Sequence, residues 1–142
     1  MESTAQKQYV EFGVEDEHYA IPISDVHEII RMQEITEIPN CRHYVKGIIN
    51  LRGKIVPVLS LRVLLDMEEA AGTKHTRILV VHHQEEAVGV IVDKVNKVTT
   101  FSDIQPPPDS FSGISGSLFT GIGFSSSALV GILKLDEILL RE

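Results

Sequence analysis

The sequence predicts an all-β protein made of two related subdomains of one folding unit, with a few short helices. Two observations carry this. Short apolar runs, many alternating with polar residues, recur between turn residues at roughly 8–12-residue spacing, the pattern of small barrels or a sandwich. The chain also resembles itself. An offset of 69 residues lays Tyr9–Ile30 over Ile78–Thr99, and an offset of 74 lays Val45–Leu65 over Phe119–Leu139. The second overlay places Gly47 on Gly121, Ile48 on Ile122 and Leu61 on Leu135. Any two β-rich segments share alternation, but two long blocks in the same order, with a glycine in register, favour a duplication. The larger second offset puts extra residues between Thr100 and Leu118, where PPPDS and SGISGS mark a lengthened loop. The copies, residues 9–65 and 78–140, are each about 60 residues long, too small to bury much core alone. They are expected to share apolar surface within one domain spanning 1–142, joined by the hydrophilic stretch Asp66–His75.

The elements follow in order. Val10, Phe12 and Val14 alternate with Glu11 and Gly13, which predicts a half-buried strand. Tyr19–Ile23 follows the acidic turn Glu15-Asp16-Glu17 and completes a hairpin. Ser24-Asp25 predicts the start of a short helix, with a capping oxygen and an acid near its positive end. Gly47–Leu51 and Ile55–Leu59 flank Arg52-Gly53-Lys54, where the glycine suits a tight turn with positive φ. Ile78–Val81 and Val88–Val92 are dense apolar runs, expected to be buried on both faces. Leu135, Ile138 and Leu139 have helical spacing and predict a short amphipathic helix.

Composition narrows the function. With 13 basic and 20 acidic residues the net charge is -7, which argues against a nucleic-acid binder. Cys41 is the single cysteine, so no disulfide forms within the chain, in keeping with a reducing cytosol. MESTAQKQ lacks the apolar core of a signal peptide, and no apolar stretch approaches the roughly 18–20 residues that span a bilayer. A soluble cytoplasmic protein without direct membrane insertion is expected.

Catalytic and metal motifs are missing. There is no GxSxG, HExxH, P-loop or GxGxxG. Ser125-Ser126-Ser127 reads as a polar turn. His82 and His83, adjacent on a strand end, point to opposite faces, and Cys41 and His43 have no second pair at metal-ligand spacing. Charge patterning says more. Glu11–Glu37 holds eight acids and one base, Arg31, whereas Cys41–Leu65 holds Arg42, Lys46, Arg52, Lys54 and Arg62 and no acid. Either these are solvated faces that balance, or Arg52 pairs with a carboxylate of the preceding segment, Glu28 being the candidate and a two-pronged contact the expected form. In the repeat, Asn50-Leu51-Arg52-Gly53 lies over Phe124-Ser125-Ser126-Ser127. The second hairpin closes without an arginine, so Arg52 and Gly53 serve either a different turn type or something beyond folding.

Val45–Leu65, VKGIINLRGKIVPVLSLRVLL, resembles the CheW family in its NLRG turn, the preceding Gly47 and the IVPV strand followed by Leu-Arg. YAIPISDVHEII, AVGVIVDKVNKV, the PPP region and GILKLDEILL are similar to that family too, so the likeness runs from about Tyr9 to Leu140. The resemblance implies two five-stranded SH3-like barrels on a shared core. It implies an adaptor with no enzymatic activity, and the residues themselves give no reason to expect a cofactor or metal. Its partners would be the regulatory domain of the histidine kinase CheA and the cytoplasmic tip of methyl-accepting chemotaxis receptors. A free-standing coupling protein, monomeric when free, is the form expected of 142 residues. Carried over by motif, the receptor side is Val26, Glu28, Gly47, Arg52, Val88 and Gly89, with Glu28 and Arg52 as partners. The kinase side is Ile38, Pro39, Asn40, Arg42 and Gly53. Rival readings are a small-ligand barrel or enzyme, which needs a concave pocket with convergent polar groups, and a same-fold adaptor of another motility pathway.

Overall fold

The computed structural model describes residues 7–106, 118–125 and 128–139. The first copy contributes β1 (Tyr9–Val14), β2 (Glu17–Pro22), β3 (Val26–Arg31), β4 (Val45–Leu51) and β5 (Lys54–Ser60). The second contributes β6 (Arg77–His83), β7 (Glu86–Val92), β8 (Lys94–Thr99), the two-residue β9 (Ile104–Gln105), β10 (Phe119–Ser125) and β11 (Ala128–Leu133). Two short helices, α1 (Leu61–Leu64) and α2 (Leu135–Leu139), follow β5 and β11. The chain is all-β, as expected, and forms two SH3-like barrels.

Neither barrel is made from one sequence copy. One sheet runs β8-β1-β2-β11-β10-β9 and the other β3-β6-β7-β5-β4. The join at 66–75 therefore does not divide them, and each copy lends its first hairpin to the other's sheet. The offsets of 69 and 74 also relate the registers. Glu28 opposite Val80 corresponds to Lys97 opposite Glu11, and Gly47 opposite Val58 corresponds to Gly121 opposite Ile132. The parallel contact Val58–Gly89 corresponds to Ile132–Ala20. Even the bulges fall at matching places, between Val26 and Glu28 and between Glu11 and Phe12.

Three apolar clusters match this plan. Ile49, Val56, Val58, Ile78 and Val80 fill one barrel. Tyr9, Ala20, Phe101, Val130 and Ile132 fill the other. Phe12, Val14, Ile21, Leu59, Leu61, Leu79, Val81 and Leu133 belong to a third cluster, drawn from both sheets and cemented by the helices. Alternate residues of β6 supply the two kinds of core, Ile78 and Val80 inside the barrel and Leu79 and Val81 between barrels. This is why dense apolar runs buried on both faces were the right reading there.

β1 departs from expectation. All six of its residues are buried, Glu11 and Gly13 included. It is an inner strand whose one face looks into a barrel and whose other face looks at the shared core, so neither meets water. Glu11 Oε2 accepts from Asn96 Nδ2 at 3.1 Å and lies 3.3 Å from His18 Nδ1, while Oε1 is buried without a hydrogen-bond partner among the described residues. The helix expected at Ser24-Asp25 is a single 3-10 turn, Ile23–Asp25, after which β3 begins. Val26, Glu28 and Ile30 are half-buried and alternate with exposed neighbours, and pairing with β6 outweighs one capping oxygen. The proline-rich loop, the serine turn at 125–127 and the Ile138 side chain lie wholly or partly outside the described residues. No helix among the described residues is long and apolar enough to cross a membrane.

Candidate functional site

The β4–β5 hairpin is built by its turn. Leu51 pairs with Lys54, which leaves Arg52 and Gly53 as a two-residue loop. Their φ angles are +51° and +88°, as a type I′ turn requires. Gly53 meets that demand at no steric cost, and its N–H donates to Asn50 Oδ1 at 2.8 Å. Arg52 adopts the left-handed region although it carries a Cβ, and its side chain is left 66% exposed. Phe124 and Ser126 stand at the equivalent places of Asn50 and Arg52, so the second copy has neither the turn-fixing amide nor the guanidinium.

Arg52 reaches Glu28. Its Nη2 donates to Glu28 Oε2. This hydrogen bond holds the Glu28 carboxyl below the usual carboxylate range, against the opposing effect of burial, and it raises Arg52 in turn. The contact is a single hydrogen bond where a two-pronged one was expected, because the guanidinium comes from an exposed turn and meets the carboxylate from one side. Its place in the fold matters more. β3 and β4 are the opposite edges of the five-stranded sheet. A bond between Glu28 on β3 and the turn after β4 is possible only where the sheet has curled nearly closed. The ion pair clasps the open seam of that barrel at its mouth.

Around the clasp lies a hollow of about 270 Å³, lined by His27, Leu51, Arg52, Lys54, Val56, His82, Glu85 and Ala87. His82 Nε2 and His27 Nδ1 are 3.1 Å apart, and His27 Nε2 is 3.8 Å from Glu28 Oε2. His82 and His83 do point apart, for His83 Nδ1 lies 3.3 Å from Asp136 on α2. Among the described residues no group of three or more His, Cys, Asp or Glu is placed to hold a metal.

A second hollow, of about 560 Å³, opens where the barrels meet. Asn40, Cys41 and Arg42 border it, with Tyr44, Pro57, Val88 and Leu139 among its walls. Ile38, Pro39, Asn40 and Arg42 are all exposed, Ile38 at 40%. These positions regroup the expected sites. Gly53 sits beside Arg52 at one end of β4, whereas the segment 38–42 leads into the other end, about 20 Å away along a seven-residue strand. Val88, expected with Glu28 and Arg52, borders the hollow of Asn40 and Arg42 instead. Val26 packs against the shared core opposite Val81.

Gly47 and Gly89 are buried within the sheet and present no side-chain position to a partner. A Cβ on Gly47, whose φ is +148°, would fall 2.1 Å from the Thr36 carbonyl oxygen. One on Gly89 would fall 2.8 Å from Ile78 Cγ2. With Glu28, Val80 and Val58 they occupy one row across the sheet. Their smallness sets how closely the strands and the barrel interior approach beneath the clasp.

A network absent from the sequence reading ties the barrels together. Arg62, at the start of α1, grips Asp93 with Nε at 3.0 Å and Nη2 at 2.6 Å, and reaches Glu15 with Nη1 at 2.6 Å. Asp93 also accepts the Glu15 backbone N–H at 2.8 Å. Burial raises the Asp93 carboxyl, but the Arg62 guanidinium, that N–H and the charges of Arg62 and Lys94 more than offset it, so it lies below the usual range. Local spacing gave no signal for this triad, since Glu15, Arg62 and Asp93 stand on three separate segments.

Comparison with known proteins bears on this arrangement directly. A family model described as the CheW-like domain matches residues 8–142. The chain belongs to the CheW-like family. A chemotaxis protein CheW of Helicobacter pylori is 36% identical over 137 residues, covering 95% of this chain and 82% of that protein. The CheW of Bacillus subtilis is 33% identical over 141 residues, covering 98% of this chain and 90% of its own. Among solved structures, the scaffolding protein TtCheW of Thermoanaerobacter tengcongensis superposes with a TM-score of 0.89 at 32% identity, covering 99% of this chain and 92% of that one. Coupling and scaffolding in chemotaxis is the role of this CheW-like chain.

Proposed function

We propose that the chain is a non-catalytic cytoplasmic adaptor that links the cytoplasmic tip of chemoreceptors to the regulatory domain of the histidine kinase CheA. The observation that carries the receptor side is the clasp. Arg52 presents a guanidinium that is 66% exposed beside a barrel mouth, bonded to Glu28 across the sheet edges, where the second copy carries a serine at the equivalent place in the sequence. Glu28 and Arg52 form the polar part of this receptor face and Val26 its apolar border. Gly47 and Gly89 set the sheet behind it, while Val88 lies on the hollow of the other face. A receptor helix laid against such a face is read by a few anchors at helical spacing. The kinase side is the exposed segment Ile38, Pro39, Asn40 and Arg42 with the hollow it borders. Gly53 belongs with Arg52 on the receptor side. The two faces lie at opposite ends of β4, so one rigid barrel separates receptor from kinase and transmits shifts between them. Each contact is modest in area, and repetition in an array supplies the avidity.

Co-sedimentation tests the reading. The chain is mixed with receptor fragments, with kinase, and with both. Kinase carried into the receptor pellet only when the chain is present supports the adaptor. A folded chain that binds neither overturns it. Arg52→Ala should abolish the receptor pellet while kinase binding persists, and unchanged receptor binding in a folded Arg52→Ala protein removes the clasp from the receptor face.

A further inference from the structure

The geometry points to a two-histidine site for a borderline transition-metal cation, Zn²⁺ being the type, formed by His27 Nδ1 and His82 Nε2 at the barrel mouth. The two imidazoles come from neighbouring strands, β3 and β6, and the repeat does not place them together by symmetry, since their counterparts in the other barrel are Asn96 and Gly13. Both rings are exposed, with centroids 4.8 Å apart and planes at 74°. The facing nitrogens are 3.1 Å apart. In the absence of metal one nitrogen donates to the other. Two nitrogens each about 2.05 Å from one metal ion are about 2.9 Å apart at a right angle and about 3.3 Å apart at the tetrahedral angle. The observed separation falls between these, so the pair chelates after rotation of exposed rings and without movement of either strand.

The surroundings fit an open site. Two protein ligands leave the other coordination positions to water, and the hollow of about 270 Å³ has room for it. Arg52 and Lys54 oppose a cation there, and Glu28 and Glu85 favour it, so the local charge is near balance. Metal–nitrogen bonding then decides. The other nitrogen of His27, Nε2, lies 3.8 Å from Glu28 Oε2. Metal at Nδ1 leaves the proton on Nε2, where at 3.8 Å it acts on that carboxylate through charge and not as a hydrogen bond. Occupancy therefore reaches the Glu28–Arg52 clasp, because His27 and Arg52 draw on the same carboxylate oxygen.

Zn²⁺ is titrated into the full chain carrying Cys41→Ser, which removes the exposed thiol as a competing ligand. Calorimetry gives the stoichiometry and ¹⁵N imidazole spectra identify the ligand atoms. The expected result is one saturable equivalent, with metal-type shifts at His27 Nδ1 and His82 Nε2 and an accompanying shift of the Glu28 carboxyl carbon. Saturable binding is lost in both His27→Gln and His82→Gln, whose side chains are exposed and whose folds are checked by circular dichroism. Saturation at other rings, survival of binding in either variant, or no saturable binding overturns the site. The titration contains no receptor or kinase, so its failure is separate from failure of the adaptor reading.

Discussion

Leu61→Ala tests whether the cluster between the barrels joins them into one cooperative unit. Leu61 is 1% exposed at the start of α1. Its surroundings include Phe12, Ile21, Leu79, Val90, Leu133 and Leu135, and the void among them is only about 10 Å³. Those residues come from both sheets and from α2, so no single element can move in to fill a space. Losing the side chain removes about 2–2.5 kcal/mol of transfer free energy at about 0.8 kcal/mol per methylene. The unfilled space adds up to about 2 kcal/mol more at about 24 cal/mol per Å³. The expected cost is about 3–4.5 kcal/mol, toward the upper part of the range for such changes. That is a large share of the total stability of a typical domain, and it lowers the melting temperature by roughly 10–20 °C. Urea unfolding followed by circular dichroism measures it. Parent and variant should each show one transition with the same slope, since the same surface is exposed. A loss below about 1 kcal/mol, or two separated transitions, would refute the shared core as the coupling element.

Arg62→Ala leaves Asp93 and Glu15 facing each other without their cation, at a cost of about 1–3 kcal/mol at pH 7. The Asp93 carboxyl is lower in the folded than in the unfolded chain. Its contribution is therefore complete above the unfolded value of about 3.9 and is lost as pH falls through the folded value. Stability curves of parent and Arg62→Ala should converge in acid, and a gap equally wide at pH 7 and pH 2.5 contradicts the assignment. Gly89→Ala presses a methyl against Ile78, which is fully buried and cannot withdraw, and should cost about 1–3 kcal/mol in a urea melt. Because each sheet draws strands from both copies, separate fragments 1–72 and 73–142 should be unfolded alone and regain β-type circular dichroism when mixed. A fragment that folds by itself rules out the exchanged pairing.

The sequence by itself determined the local elements. β-branched runs, turn residues and two offsets located the strands, and Arg52-Gly53-Lys54, with its glycine, located the tight turn. The Glu28–Arg52 contact was legible only as one of two readings, since eight acids precede the basic hairpin and solvated faces would have matched the same pattern. Family motifs added the coupling role. Tertiary structure decided what periodicity cannot carry. Alternation separates two faces of a strand but does not say whether the polar face meets water, and Glu11, buried beneath the exposed Asn96 and the half-buried His18, shows the difference. Nor does it say which strands pair. Closure of the sheet joined β3 to the β4–β5 turn, pairing of β3 with β6 set His27 against His82, and packing of the two barrels set Arg62 between Glu15 and Asp93. These contacts span distant parts of the chain. They exist because both hairpins must bury two faces at once, and only exchanged sheets around a common core satisfy that demand.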